Sequence, residues 1–395
     1  GSIDYESFLN EGSEVEYEPP ADEWDSIALS YTSGTTSRPK GVVYSHRGCH
    51  LQATDTVVFW NVNRHPVFLW TSPQFHCNGW HMPWTMCLQA GTHVCLREIN
   101  PEKIFQLIVQ EKVTHLGGAP TVLTMLTTLP KAKQLPLPHQ VEILTAGAPP
   151  TSALVKATEA LGFHLLQMYG LTETHGQVLI SEYKEEYASQ SEDNQARLKA
   201  RQGVRIPMGG KVIVGDIKSC QEKPKDGESM GEILIRGNMV MKGYLKNQEA
   251  TEEAFAGGCF HSGDLAVMEQ DGYIQIKDRA KDVIISGGEN ISTVEVEEAV
   301  NKHAAVAEVA VVAQPHPKWQ EVPCAFVHLK EGNSGSPELE KAIIEEAARH
   351  LAKFKVPKRV FFQALPRNGA GKIQKFELRN IAKQAAEANA PQSKL

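Results

Sequence analysis

From residue 25 to about 275, short apolar runs alternate with stretches whose apolar residues recur at helical spacing. SIALSYTSG reads as a buried strand running into a polar loop. PEKIFQLIVQEK puts apolar side chains at 104, 107 and 108, one face of a helix, and VTHLGGAP follows as a short strand. VEILTAGAPP is strand then turn, TSALVKATEALG is a helix with a hydroxyl N-cap and a glycine stop, and FHLLQMYGLTET is again a strand opening into a loop. This rhythm predicts an α/β layered domain around a mostly parallel sheet. Ligands bind such sheets in the loops at the carboxyl ends of strands. The polar loops after residues 31, 146 and 169 are therefore expected to lie near one another.

The pattern changes twice further on. Residues 183–201, YKEEYASQSEDNQARLKAR, are polar and charged and predict a solvated helical excursion. GKVIVGD, GEILIRG and DGYIQIKD then alternate as short strands, a smaller β unit over about 204–279. After KDRAKD (277–282), ISTVEVEEAV opens with a capping box of Ser292 and Glu295. EVAVVA and CAFVHLK are strands, and SPELEKAIIEEAARHLAKF is a helix with Ser at N-cap, Pro at N1 and apolar positions at 339, 343, 347 and 351. Strand RVFFQAL, the glycine-rich PRNGAGKIQK and a last helix complete a small α+β unit. The expected domains are therefore 1–279 and 280–395.

Composition narrows the classes. The 395-residue chain is 41% hydrophobic and 22% charged, ordinary for a globular protein, and is long enough for two or three domains. A formal net charge of −7 offers no general attraction to nucleic acid or anionic membrane. No apolar run approaches the ~18 residues of a membrane span, and no basic-then-apolar N-terminal segment suggests secretion. The seven cysteines include no CxxC pair, which favours free thiols over a disulfide framework. HRGCH (46–50) and FHCNGWH (75–81) set histidines beside cysteines, but their spacing does not match structural zinc patterns.

YTSGTTSRPKG (31–41) has the chemistry of an anion cradle. Hydroxyls and backbone N–H groups donate, glycines admit close approach, and Arg38 and Lys40 bring charge. It does not match GxxxxGK[ST]. Taken alone it also reads as a Ser/Thr-rich surface turn.

Further segments follow in order: MYGLTET (168–174), HSGDLA (261–266), IKDRAKDVIISGGENIS (276–292) and GAGKIQK (369–375). With the first stretch, they closely resemble the core motifs of the adenylate-forming acyl-CoA synthetases, the superfamily that includes firefly luciferase and peptide-synthetase adenylation domains. DEWDSIALSYTSGTTSRPKGVVYSHRG, RLKARQGV and KDVIISGGENIS look closest to plant-type acyl-activating enzymes for short-chain, medium-chain or aromatic acids. The resemblance runs from about residue 24 to the C-terminus.

The resemblance implies an ATP-dependent carboxylic acid–CoA ligase that passes through an acyl-adenylate, with ATP, Mg and CoA as cofactors. Thr32, Ser33, Gly34, Thr35, Thr36 and Lys40 would hold the β- and γ-phosphates, Thr172 the α-phosphate, and Glu173 the magnesium. Gly147, Ala148 and Pro149, with Tyr169 and Gly170, would flank the adenine, and Asp264, with Arg279 nearby, would receive the ribose hydroxyls. Lys372 would approach the carboxylate and α-phosphate. Lys281 would mark a hinge, and Gly287 and Gly288 the CoA channel. His76, Cys77, Asn78, Gly79 and Trp80, with Gly118, Ala119, Pro120 and Met168, would line or gate the acid pocket. Trp80 equally suits plain core, and Gly287–Gly288 a simple tight turn. Ser393-Lys394-Leu395 is a peroxisomal address that an import receptor would read.

Two departures qualify this. Such families usually carry glycine where Ser37 stands, although the plant type tolerates serine. Full-length relatives also place well over a hundred residues before the phosphate loop, which here begins at about residue 31. A truncated, non-catalytic nucleotide-binding remnant, needing an N-terminal segment, a partner or a homo-oligomer, is therefore the rival expectation. It would expose a sheet edge and an apolar face. Adenylation for a carrier-protein thiol fits less well, because no carrier domain follows and the chain ends in SKL. Nothing positive supports an oxygenase.

Overall fold

The structure is a computed structural model that describes residues 3–32, 39–367 and 373–388. Ser33, Gly34, Thr35, Thr36, Lys372 and Ser393-Lys394-Leu395 lie outside the described residues. The fold is mixed α/β, with a large N-terminal part built on sheets and a small α+β part at the C-terminus.

The central sheet has seven strands in the order Thr92–Cys95, Val67–Trp70, His115–Gly118, Val141–Thr145, Phe163–Leu171, Gly176–Ile180 and Val204–Arg205. The first five pair in parallel and the last two join antiparallel. Neighbouring residues on one strand feed opposite cores. Leu69 and Ile143 pack with Ile104, Phe105 and Phe163 on one face. Phe68, Trp70 and Leu144 pack with Trp60, Trp80 and Met168 on the other. Burial on both faces explains why these strands read as continuous apolar runs. The helix Pro101–Gln110 buries Ile104, Phe105 and Ile108, as its spacing predicts.

His115 sits inside this sheet. Its ring meets the Trp60 ring edge-on at 4.8 Å, and its Nε2 is buried without a hydrogen-bond partner. Burial lowers its pKa from 6.5 to about 4, against a small opposing pull from Glu142. The unfolded chain therefore takes up this proton first as pH falls. Stability is expected to decline between pH ~6.5 and ~4, by up to roughly 3 kcal/mol from this residue. Urea midpoints measured across that window check the sign, and His115→Gln should flatten the slope.

One strand differs from expectation. Ser26–Tyr31 is an edge of a three-stranded sheet with Gly41–Ser45 and Gly243–Tyr244, and only Ser30 is buried. Leu29 is 40% and Tyr31 63% exposed. The run is largely apolar, but Ser26, Leu29 and Tyr31 are exposed, so half of its side chains face outward.

The smaller β unit is a four-stranded antiparallel sheet: Lys211–Gly215, Gly231–Arg236, Phe260–Met268 and Ile274–Arg279. The polar excursion before it is a short 3-10 turn followed by the helix Glu192–Lys199. Its RLKAR segment proves structural. The Arg201 guanidinium stacks 4.0 Å from the Tyr273 ring centroid and lies 3.3 Å from Asp271 Oδ2, which clamps the excursion onto the β unit.

Beyond residue 283, a five-stranded sheet packs against the helices Thr293–Val300, Pro337–Ala348 and Lys375–Ala388. Its two apolar cores draw only on residues from Ile284 onward. Ser336 caps the second helix, and Ile343 and Ala347 are fully buried, as predicted. The capping box forms by half. Ser292 Oγ accepts from Glu295 N, but the Glu295 carboxylate turns to Lys355 Nζ at 2.7 Å. At the junction, Asp278 accepts hydrogen bonds from Thr293 N and, at 3.1 Å, from Thr293 Oγ1, while Arg379 pairs with Asp282 at 2.5 Å.

Candidate active site

The strand Phe163–Leu171 delivers the central residues. The Tyr169 hydroxyl donates to Asp264 Oδ2 at 2.7 Å, and Arg279 Nε lies 3.1 Å from Asp264 Oδ1. Asp264 and Arg279 face each other directly on adjacent antiparallel strands. Asp264 is buried, and each of its oxygens keeps lone-pair capacity beyond the one partner. Burial, then the Asp264 charge, pushes the Tyr169 phenol well above its ordinary range. Burial pulls Arg279 down, but Asp264 and other neighbouring acidic groups outweigh it, and the guanidinium is held charged. Gly170 has no room for a side chain, because a Cβ there would fall 1.8 Å from Gly176 O.

The chain then tightens into the turn Thr172–Thr174. Thr172 O accepts from the buried Tyr44 hydroxyl at 2.8 Å, and Thr172 Oγ1 receives the Cys77 thiol at 3.6 Å. Glu173 Oε1 accepts from the Tyr244 hydroxyl at 2.9 Å. Lys40 Nζ stands 4.5 Å from the centroid of that same ring. Thr32 and Lys40 pair across the neck of the first motif, with Thr32 N donating to Lys40 O at 2.9 Å. Lys40, Tyr31, Tyr244 and Lys246 line an open cavity of about 400 Å³.

The segment expected to line the acid pocket has an unusual backbone. Cys77, Asn78, Gly79, Trp80 and His81 all have positive φ, between 43° and 63°, so five successive residues wind left-handed. Only glycine adopts this region freely, so the turn stores strain. Its side chains are anchored to separate elements. Ser30 Oγ donates to Asn78 Oδ1 at 2.9 Å, Cys77 reaches Thr172, and His81 Nε2 donates to His175 O. His76 precedes the turn, half-buried. Trp80 and Met168 lie in the apolar core, and a Cβ on Gly117 would touch the Trp80 ring at 3.0 Å. Gly118, Ala119 and Pro120 make the transition from strand to helix beside them. His175 Nδ1 donates to Met239 O at 2.5 Å, and its ring centroid lies 3.9 Å from that of Tyr44. Burial holds His81 and His175 below their usual range, His175 at about 4, so both are neutral donors.

Other expected residues lie in turns and hairpins outside this hydrogen-bonded group. Gly147, at φ 89°, Ala148 and Pro149 are exposed just past the carboxyl end of Val141–Thr145. Lys281 lies in the turn after Ile274–Arg279. Gly287 and Gly288, at φ 61° and 92°, form the hairpin between Ile284–Ser286 and Glu289–Ile291. Tyr44 and His81 fall inside quoted segments without a role of their own in the ligase reading, and Tyr244 and His175 fall in none. No local spacing marks them, since each meets its partner across a long chain separation.

Among the described residues, no group of three or more His, Cys, Asp or Glu side chains could hold a metal ion. No helix among them is long and apolar enough to cross a membrane. One carboxylate, Glu173, beside a basic cavity suits magnesium. That ion is commonly held by one or two carboxylates plus substrate phosphates rather than by an all-protein cage.

Known proteins share this architecture. Residues 3–245 match the AMP-binding enzyme family and residues 295–372 the AMP-binding enzyme C-terminal domain. The chain is 48% identical to acetate/butyrate–CoA ligase AAE7, peroxisomal, of Arabidopsis thaliana, over all of this chain and 70% of that relative. It is 46% identical to the peroxisomal trans-cinnamate:CoA ligase of Petunia hybrida, over 96% of this chain and 67% of that one. A crystal structure of ATP-bound MatB from Rhodopseudomonas palustris superposes with a TM-score of 0.86 at 29% identity, covering 96% of this chain and 73% of the other. Motifs, fold and relatives agree, and the chain belongs to the AMP-binding enzyme family.

Proposed function

We propose that the protein is an AMP-forming carboxylic acid–CoA ligase acting on a short-chain, medium-chain or aromatic acid. The observation that carries this reading is the joining of Tyr169–Asp264–Arg279, Thr172 and the Glu173–Tyr244–Lys40 group around one strand end. Named relatives that act on acetate, butyrate and cinnamate support it.

In the first half-reaction a carboxylate oxygen attacks the α-phosphorus of ATP. The bond to the β-phosphate oxygen breaks and pyrophosphate leaves. Thr172 and Lys372 would stabilise charge at the α-phosphate, Lys40 and the hydroxyls of Thr32, Ser33, Thr35 and Thr36 would hold the outer phosphates, and Asp264 would accept the ribose hydroxyls. Magnesium, held through Glu173, would neutralise charge on the phosphate oxygens. In the second half-reaction the CoA thiol gives up its proton to solvent, its sulfur attacks the acyl carbonyl, and AMP leaves with the bonding pair. The domain boundary is proposed at 279/280. Rotation beside Lys281 would withdraw Lys372 and bring Gly287 and Gly288 toward the thiol. Peroxisomal import through Ser393-Lys394-Leu395 is proposed alongside, consistent with relatives that carry that location in their names.

The test is pyrophosphate release with magnesium-ATP over acids from two to twelve carbons and aromatic acids, with and without CoA. Release that depends on one acid class, with a matching thioester, supports the reading. Release independent of acid contradicts it.

A further inference from the structure

The segment Met241–Tyr244 grips Glu173 twice. Met241 N donates to Glu173 O at 2.8 Å, and the Tyr244 hydroxyl donates to Glu173 Oε1 at 2.9 Å. Tyr244 is itself fixed. Its N–H donates to Thr251 Oγ1 at 3.0 Å, and its strand pairs with Val42 and Val43. Gly243, at φ 149°, lets the chain pass where a Cβ would come within 2.8 Å of Thr251. The Tyr244 ring meets the Lys40 ammonium at 4.5 Å. One immobilised side chain thus touches a carboxylate and a lysine from different segments.

We propose that Tyr244 is a positioning residue for the metal–triphosphate end of the site: its hydroxyl orients the Glu173 carboxylate, and its ring face seats Lys40. The proposal rests on the ligase reading above. With the phenol fixing one edge of the carboxylate at Oε1, the remaining lone pairs of Glu173 would be left for the cation. The ring face holds the ammonium in place without tying it up in a hydrogen bond, which would leave its donors for phosphate. Neither contact touches the reacting atoms.

The experiment compares the wild-type chain with Tyr244→Phe, which keeps the ring and loses the hydroxyl, and with Glu173→Gln. Manganese binding in the presence of a non-hydrolysable ATP analogue, read by electron paramagnetic resonance, reports the site without turnover. The magnesium dependence of adenylation, the KM for the acid, and thioester formation from supplied acyl-adenylate complete the set. Tyr244→Phe should weaken manganese binding and raise the half-saturating magnesium by roughly tenfold, the size of one hydrogen bond to a charged group. Its KM for the acid and its use of supplied acyl-adenylate should stay near wild type, which a general loss of structure would not allow. Wild-type manganese affinity in Tyr244→Phe, with affinity lost in Glu173→Gln, overturns the proposal and leaves the ligase reading standing. Wild-type affinity in both variants overturns the proposal and the Glu173 metal assignment together.

Discussion

Asp264→Ala is expected to cost about 3 kcal/mol of stability and to remove measurable nucleotide binding. The carboxylate is buried, and both of its oxygens are engaged, one by Tyr169 and one by Arg279. Removing it strands a guanidinium and a phenol. Breaking a buried pair costs about 3–5 kcal/mol. The Arg279 side chain keeps 31% of its surface exposed, so water relieves part of that cost. Asp264→Asn separates the two effects. It retains an acceptor and the volume, so stability should fall less, while the proposed recognition of the ribose by a charged acceptor should still be lost. Urea denaturation and ATP titration of the two variants check this. An alanine variant as stable as wild type would mean the triad does not hold these strands together.

Lys372→Ala is expected to slow acid-dependent pyrophosphate release by ~10²-fold or more, since one preorganised donor to developing charge contributes on that order. Thioester formation from supplied acyl-adenylate should stay within a few-fold of wild type, because the proposed rotation removes this lysine before the second half-reaction. Measuring both half-reactions on one preparation is the check. Equal losses in both would place Lys372 in a shared structural role.

The layered fold was legible because its cause is local. Strands buried on both faces must be apolar throughout, and Ser336 or Thr151 ahead of an amphipathic run marks a helix start. What was not legible depended on partners distant in sequence. The apolar run Ser26–Tyr31 looked buried, yet Ser26, Leu29 and Tyr31 are exposed. Glu295 fitted a capping box, yet Lys355 captured its carboxylate. The motifs that carry the family resemblance pointed to Tyr169, Asp264 and Arg279. That the phenol meets the carboxylate 95 residues on is a product of the tertiary fold. The left-handed run Cys77–His81 had only Asn78–Gly79 as a local signal. Its strain is sustained by Ser30, Thr172 and His175, which no window around FHCNGWH contains.

The most direct test of the central claim is mass-spectrometric detection of the intermediate. The protein is incubated with magnesium-ATP and an acid found active in the panel, first without CoA and then with it. An acyl-adenylate is expected to accumulate in the absence of CoA and to be converted, on its addition, to acyl-CoA and AMP in equal amounts. ATP cleaved to ADP, or a thioester formed with no adenylate at any time, would contradict the claim.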